Sequence, residues 1–143
     1  MAERGRWPRI CRMKPSPQPA TSPFKSRSGL ARLRRAWGYS LAGLRAAFRH
    51  EAAFRQELAL GLPLIGVAWW VAPGRWEALS MSASILLVFV VELLNSGIEA
   101  LADAVNPEHH ALLGRAKDLG SAAVMLTLGL AVLTWAVALW PRA

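Results

Sequence analysis

One cysteine, one tyrosine and nine acidic residues in a chain of 143 are low counts, and each scarcity excludes a class of protein. The lone Cys11 has no intrachain disulfide partner and cannot build a thiolate metal cluster. Of the three histidines, His109 and His110 are adjacent and so do not share a helix face, and with His50 they make no zinc spacing. The chain lacks a Walker A sequence, a GxGxxG loop, a Ser-His-Asp set and an HRD motif, so the parts by which soluble phosphotransfer folds hold phosphate are missing. Nor does an apolar run of the secretory-signal kind open the chain. What is abundant is apolar surface. Hydrophobic residues make up 54% of the chain although it carries a net charge of +8, and the mean hydropathy is +0.28. That combination points to an integral membrane protein.

Positive charge is placed unevenly. Ten of the seventeen Lys and Arg lie at or before Arg35, where Glu3 is the only acid, and residues 1–29 also hold five of the nine prolines. This composition reads as a disordered basic leader, residues 1–29, preceding a membrane domain at 30–143. No helix-turn-helix or aromatic-interleaved pattern accompanies the basic residues, so no nucleic-acid partner is expected. Attraction to anionic lipid is the simpler reading.

Three spans are expected, at about 55–74, 78–103 and 118–140. The seventeen uncharged residues 58–74 would measure about 26 Å as helix, near the lower limit for crossing hydrocarbon. Pro63 removes one backbone donor there, Pro73 suggests an end, and Trp69 and Trp70 suit the membrane interface. Residues 78–91 are uncharged, and their helical pattern continues to Asp103, which puts Glu92 and Glu99 on the second span. Residues 119–141 give twenty-three uncharged positions, about 35 Å of helix. Fifteen Lys and Arg lie up to Arg55 or in the 104–118 loop, against Arg75 and Arg142 on the other side. The positive-inside rule therefore puts the N-terminus and that loop in the cytoplasm. Before the first span, residues 30–50 carry Leu33, Trp37, Leu41, Leu44 and Phe48 at spacings of three and four with arginines between them, as expected of an amphipathic helix lying on the membrane surface.

Chemistry is expected on the second span. Glu92, Asn95, Ser96, Glu99 and Asp103 stand at offsets of 0, 3, 4, 7 and 11, which at about 100° per residue fall within an arc of roughly 100°. A carboxylate facing lipid costs at least about 2.5 kcal/mol, so this stripe should face protein or water. It is either a reactive site or a polar packing seam. Arg115, Lys117 and Asp118 gather at the start of the third span, where lysine offers a point charge to phosphate or simply snorkels to the interface.

Four ordered segments then carry a family resemblance: Gly38-Tyr39-Ser40 with Gly43-Leu44-Arg45-Ala46-Ala47; Glu51-Ala52-Ala53-Phe54-Arg55-Gln56-Glu57; Glu92-Leu93-Leu94-Asn95-Ser96 with Ile98-Glu99-Ala100; and Gly114-Arg115-Ala116-Lys117-Asp118. Together, over residues 32–140, they resemble the prokaryotic diacylglycerol kinases. The resemblance implies an all-α integral membrane homotrimer in the bacterial inner membrane, each subunit with three transmembrane helices preceded by a surface helix. It implies transfer of the γ-phosphate of ATP, with Mg2+, to diacylglycerol, yielding phosphatidic acid at the cytoplasmic face. Carried over by position, Glu92 is the catalytic base supported by Asn95, and Glu51 and Glu99 hold magnesium. Nucleotide would meet Arg32, Tyr39, Glu51, Glu99, Glu108, His109, His110, Lys117 and Asp118. Lipid would meet Arg45, Ala46, Ala47, Phe48, Ala53, Phe54, Arg55, Gln56, Glu57, Glu92 and Ser121. The sequence departs from the family pattern at His109, where an aromatic hydroxyl is common, and at Ala111, where an acid is common. An undecaprenol kinase of the same superfamily would share Glu92, Asn95, Glu99 and the Lys117-Asp118 pair, and a membrane scaffold would use the polar stripe for packing alone.

Overall fold

The computed structural model describes residues 29–105 and 110–141. The expected leader, apart from Gly29, and the expected nucleotide contacts Glu108 and His109 lie outside the described residues. Four helices make up the fold: α1 (Gly29–His50), α2 (Ala52–Val71), α3 (Arg75–Val105) and α4 (Ala111–Ala138). There is no strand among the described residues. The chain divides into two compact units, Met1–Gly38 and Tyr39–Ala143. In the first, the α1 residues Leu30, Leu33 and Trp37 are exposed. In the second, Leu41, Leu44 and Phe48 are exposed while Ala47 is buried.

Between α1 and α2 stands a single extended residue, Glu51, with φ −100 and ψ 113. No glycine or proline marks this corner. What satisfies it is Arg55, whose Nη1 donates to the carbonyls of Phe48 and Arg49, each at 3.3 Å. Two acceptors that the end of α1 would leave without partners are thereby met. Helix α2 then runs through Pro63 and stops at Val71. Its C-cap Ala72 is extended, because the residue before Pro73 is held out of the helical region.

Helix α3 is the central element and packs against both α2 and α4. One core joins Phe54 of α2, Ile85, Val88 and Phe89 of α3, and Ala131 of α4, with Ala47 at its edge. Phe54 and Phe89 meet edge to face, their centroids 6.4 Å apart. A second core joins Ala68, Met81 and Ala138. Close approach of α2 to α3 depends on Gly61, where a Cβ would lie 2.5 Å from Phe89 Cζ and 2.8 Å from Ile85 Cγ2. Small residues at such crossings are how helices associate in lipid, where apolar burial supplies no driving force. Trp135 Nε1 ties α4 to α3 by donating to the Met81 carbonyl at 3.3 Å, and the buried Ser82 and Ser84 hydroxyls donate to carbonyls of their own helix.

The outer surface is apolar. Trp70 is 87% exposed and Val132 71% exposed, which no soluble monomer of this size would sustain over so many positions. Helices α3 and α4 are each long and apolar enough to cross a membrane. At 31 residues α3 measures about 46 Å, longer than the hydrocarbon core, so its polar end reaches beyond it. Helix α2 carries Arg55, Gln56 and Glu57 in its first two turns, which shorten its uninterrupted apolar part.

Element limits differ from expectation in one place that matters to function. Residues 111–118 are helix rather than part of a 104–118 loop, so the third long helix starts seven residues before its expected span. The apolar run marks where hydrocarbon begins, whereas Ala111, Leu112, Leu113, Arg115, Ala116 and Lys117 are all strong helix formers in any solvent. Helix α3 likewise overruns its 78–103 span at both ends, and α2 stops three residues short of 74.

Candidate active site

Along α3 the polar stripe runs from buried to exposed. Glu92 is 5% exposed, with Asn95 and Ser96 each at 8%. Glu99 is half-buried and Asp103 exposed. The buried acid is therefore the one furthest from the polar end, about 10.5 Å along the helix from Glu99. Such burial within one chain has Glu92, Asn95 and Ser96 facing protein, not lipid.

Other elements bring further carboxylates to it. Glu92 lies within electrostatic range of Glu99 and of Glu51, the α1–α2 corner residue, and Glu57 of α2 lies within range of Glu92. Four acids from three segments thus share one region. None of them has an ion-pair partner among the described residues. Asn95 Nδ2 donates to Glu99 Oε1 at 3.0 Å and fixes one face of that carboxylate. Across from them, Lys117 of α4 donates to Asp103 Oδ1 at 2.6 Å and lies in range of Glu99. This cation stands at the exposed end of the stripe, within reach of an anion arriving from water.

Among the described residues no three His, Cys, Asp or Glu side chains converge as a metal cage. The donor set nevertheless fits magnesium, a hard cation that takes one or two carboxylates and completes its shell with phosphate oxygens and water. Glu51 and Glu99 have the right oxygen chemistry, and Glu99 retains an oxygen not bonded to Asn95.

Of the remaining expected contacts, Arg32 belongs to the first unit, and Tyr39, His110 and Asp118 are exposed. Arg45, Ala46, Phe48, Ala53, Gln56 and Ser121 are exposed, while Ala47 and Phe54 are core residues. Arg55 is engaged at the α1–α2 corner. Beside Glu57 opens an apolar groove of about 390 Å³ between α2, α3 and α4, with Leu60, Leu64, Phe89, Val132 and Trp135 on its walls. Two features of the site escaped sequence reasoning. Asp103 was visible only as the last member of a stripe, and its pairing with Lys117 crosses fourteen residues. Gly120, packed against Asn95, has no side chain to signal its part.

Fold and site together describe a small helical membrane protein with a buried glutamate, further carboxylates within electrostatic range of it and a lysine at the exposed end of the same stripe. The model of the family described as prokaryotic diacylglycerol kinase matches residues 38–139. The chain is 52% identical over 118 residues to a diacylglycerol kinase of Pseudomonas aeruginosa, covering 82% of this chain and 96% of that one. A diacylglycerol kinase of Escherichia coli is 46% identical over 79% of this chain and 93% of its own length. One from Haemophilus influenzae is 42% identical over 76% and 92%. The chain belongs to the prokaryotic diacylglycerol kinase family and is a lipid kinase.

Proposed function

We infer that the chain phosphorylates diacylglycerol with ATP, yielding phosphatidic acid at the cytoplasmic face of the bacterial inner membrane. The observation that carries this reading is the buried Glu92 with Asn95 and Glu99 above it on the same face of α3 and Lys117 at the exposed end. Glu92 accepts the proton of the lipid's primary hydroxyl as that oxygen attacks the γ-phosphorus; the new O–P bond forms as the bond to the ADP oxygen breaks. Glu51 and Glu99 hold magnesium, which when bound neutralises charge on the triphosphate. Lys117 meets phosphate as a point charge, and Arg32, Tyr39, Glu108, His109, His110 and Asp118 complete the nucleotide contacts. Lipid lies along Arg45, Ala46, Ala47, Phe48, Ala53, Phe54, Arg55, Gln56 and Glu57, with Ser121 on α4.

The working form is a homotrimer whose subunits cross the membrane three times. Helix α2, with 20 residues and about 30 Å of length, supplies the third crossing. The N-terminus is then cytoplasmic, which the fifteen-to-two distribution of Lys and Arg supports, and residues 1–29 form a basic leader outside the catalytic domain 30–143.

Purified in detergent and given MgATP, the chain is expected to transfer phosphate to diacylglycerol in preference to undecaprenol, with no lipid product when no lipid is supplied. Preference for undecaprenol would overturn the acceptor, and absence of any transfer by the folded protein would leave the polar stripe a packing seam.

A further inference from the structure

Asn95 divides its amide between two neighbours. Its Nδ2 donates to Glu99 Oε1 at 3.0 Å, whereas its Oδ1 is buried without a hydrogen-bond partner. That oxygen is turned toward Gly120 of α4. A Cβ placed on Gly120 would overlap Asn95 Oδ1, and the three heavy atoms nearest to it all belong to Asn95, Cγ following at 3.3 Å and Cα at 3.7 Å. Where another residue carries Cβ, glycine carries a hydrogen, so the oxygen occupies space that any other side chain would take. The same helix carries Gly114 and Gly129, at which a Cβ would meet nothing within 4 Å. Close approach is thus particular to Gly120. The amide has no second way to sit, because exchanging its ends would set Oδ1 against the Glu99 carboxylate, acceptor against acceptor.

We propose that Gly120 is a positioning residue for phosphoryl transfer, its missing side chain seating the Asn95 amide that in turn orients the Glu99 carboxylate toward a divalent cation. The proposal rests on the reading of Glu99 as a metal ligand. A methyl at position 120 displaces Oδ1, swings Nδ2 from Glu99 and frees that carboxylate to rotate. Losing the partner that orients a metal-binding carboxylate typically weakens metal affinity or activity about 10-fold or more. A glycine serving only to let α3 and α4 approach would act differently, since its substitution would lower stability and leave the metal dependence of the folded protein unchanged.

A double-mutant cycle separates the two roles. The full chain in detergent is compared as wild type, Gly120→Ala, Asn95→Ala, the double variant and Glu99→Gln. Two measurements are made: the Mg2+ concentration giving half-maximal phosphate transfer to diacylglycerol, and Mn2+ binding by electron paramagnetic resonance with a non-hydrolysable ATP analogue and no lipid. Gly120→Ala is expected to weaken both by roughly 10-fold, and the double variant to be no worse than Asn95→Ala alone. Should Gly120→Ala fail to fold beside Asn95, the double variant is compared with Asn95→Ala: equal metal dependence supports the proposal, and a further loss or failure to fold overturns it. Unchanged metal dependence in Gly120→Ala beside shifted Asn95→Ala and Glu99→Gln overturns the role of Gly120 alone. Additive losses in the double variant overturn it in favour of packing. Unshifted metal dependence in Glu99→Gln removes the reading of the site on which the proposal stands.

Discussion

At the residue scale, the ion pair between Lys117 and Asp103 separates stability from function. Their side chains are 37% and 65% exposed, and a pair so open to water adds little to stability. Asp103 holds the ammonium group within range of Glu99, and in the proposed mechanism incoming phosphate meets it there. Lys117→Ala and Asp103→Asn should therefore leave thermal unfolding in detergent nearly unchanged. Initial-rate measurements should show the KM for ATP raised by about 10-fold in the first and less in the second, in keeping with loss of one charge-assisted contact. The Glu92–Asn95–Glu99 stripe was legible in the sequence because one helix period fixes it. Glu51 was legible only through the family resemblance, since its approach to Glu92 depends on a corner held by Arg55, without a glycine or proline to announce it. Gly120 was invisible for a different reason: its contribution is an absence of atoms, readable only once α4 lies on α3.

At the element scale, the crossing of α2 on α3 holds the carboxylates together, and it depends on Gly61 seated against Phe89 and Ile85. Gly61→Leu forces those two core side chains out of place, at about 1–3 kcal/mol for overpacking. Measured as thermal or denaturant unfolding in detergent, the variant should be clearly less stable, and its activity should fall with the displacement of Glu57 and Glu51 from α3. Stability equal to wild type would mean that α2 is free to move away without loss. Helix existence was readable along the whole described chain, since apolar runs and the surface-helix spacing are local signals. The early start of α4 was not, because loss of apolarity at Lys117 and Asp118 marks the membrane edge and says nothing about where backbone hydrogen bonding stops.

For the molecule as a whole, one relation joins these scales. A chain so apolar outside and so acidic at one internal stripe is stable only where lipid covers its surface, and there the stripe can work on a substrate that never leaves the membrane. Family membership identifies the chain as a lipid kinase; in the proposed mechanism the buried Glu92 is the group that takes the lipid's proton. The most direct test is phosphate transfer from ATP to diacylglycerol by the full chain and by Glu92→Gln, which keeps the shape and hydrogen-bonding reach of the side chain but not its basicity. Loss of a general base lowers turnover by about 10²–10⁴-fold, and a fall in kcat of that size, with the KM for ATP little altered, is the expected result. Wild-type turnover in Glu92→Gln would contradict the assignment of Glu92 as the base.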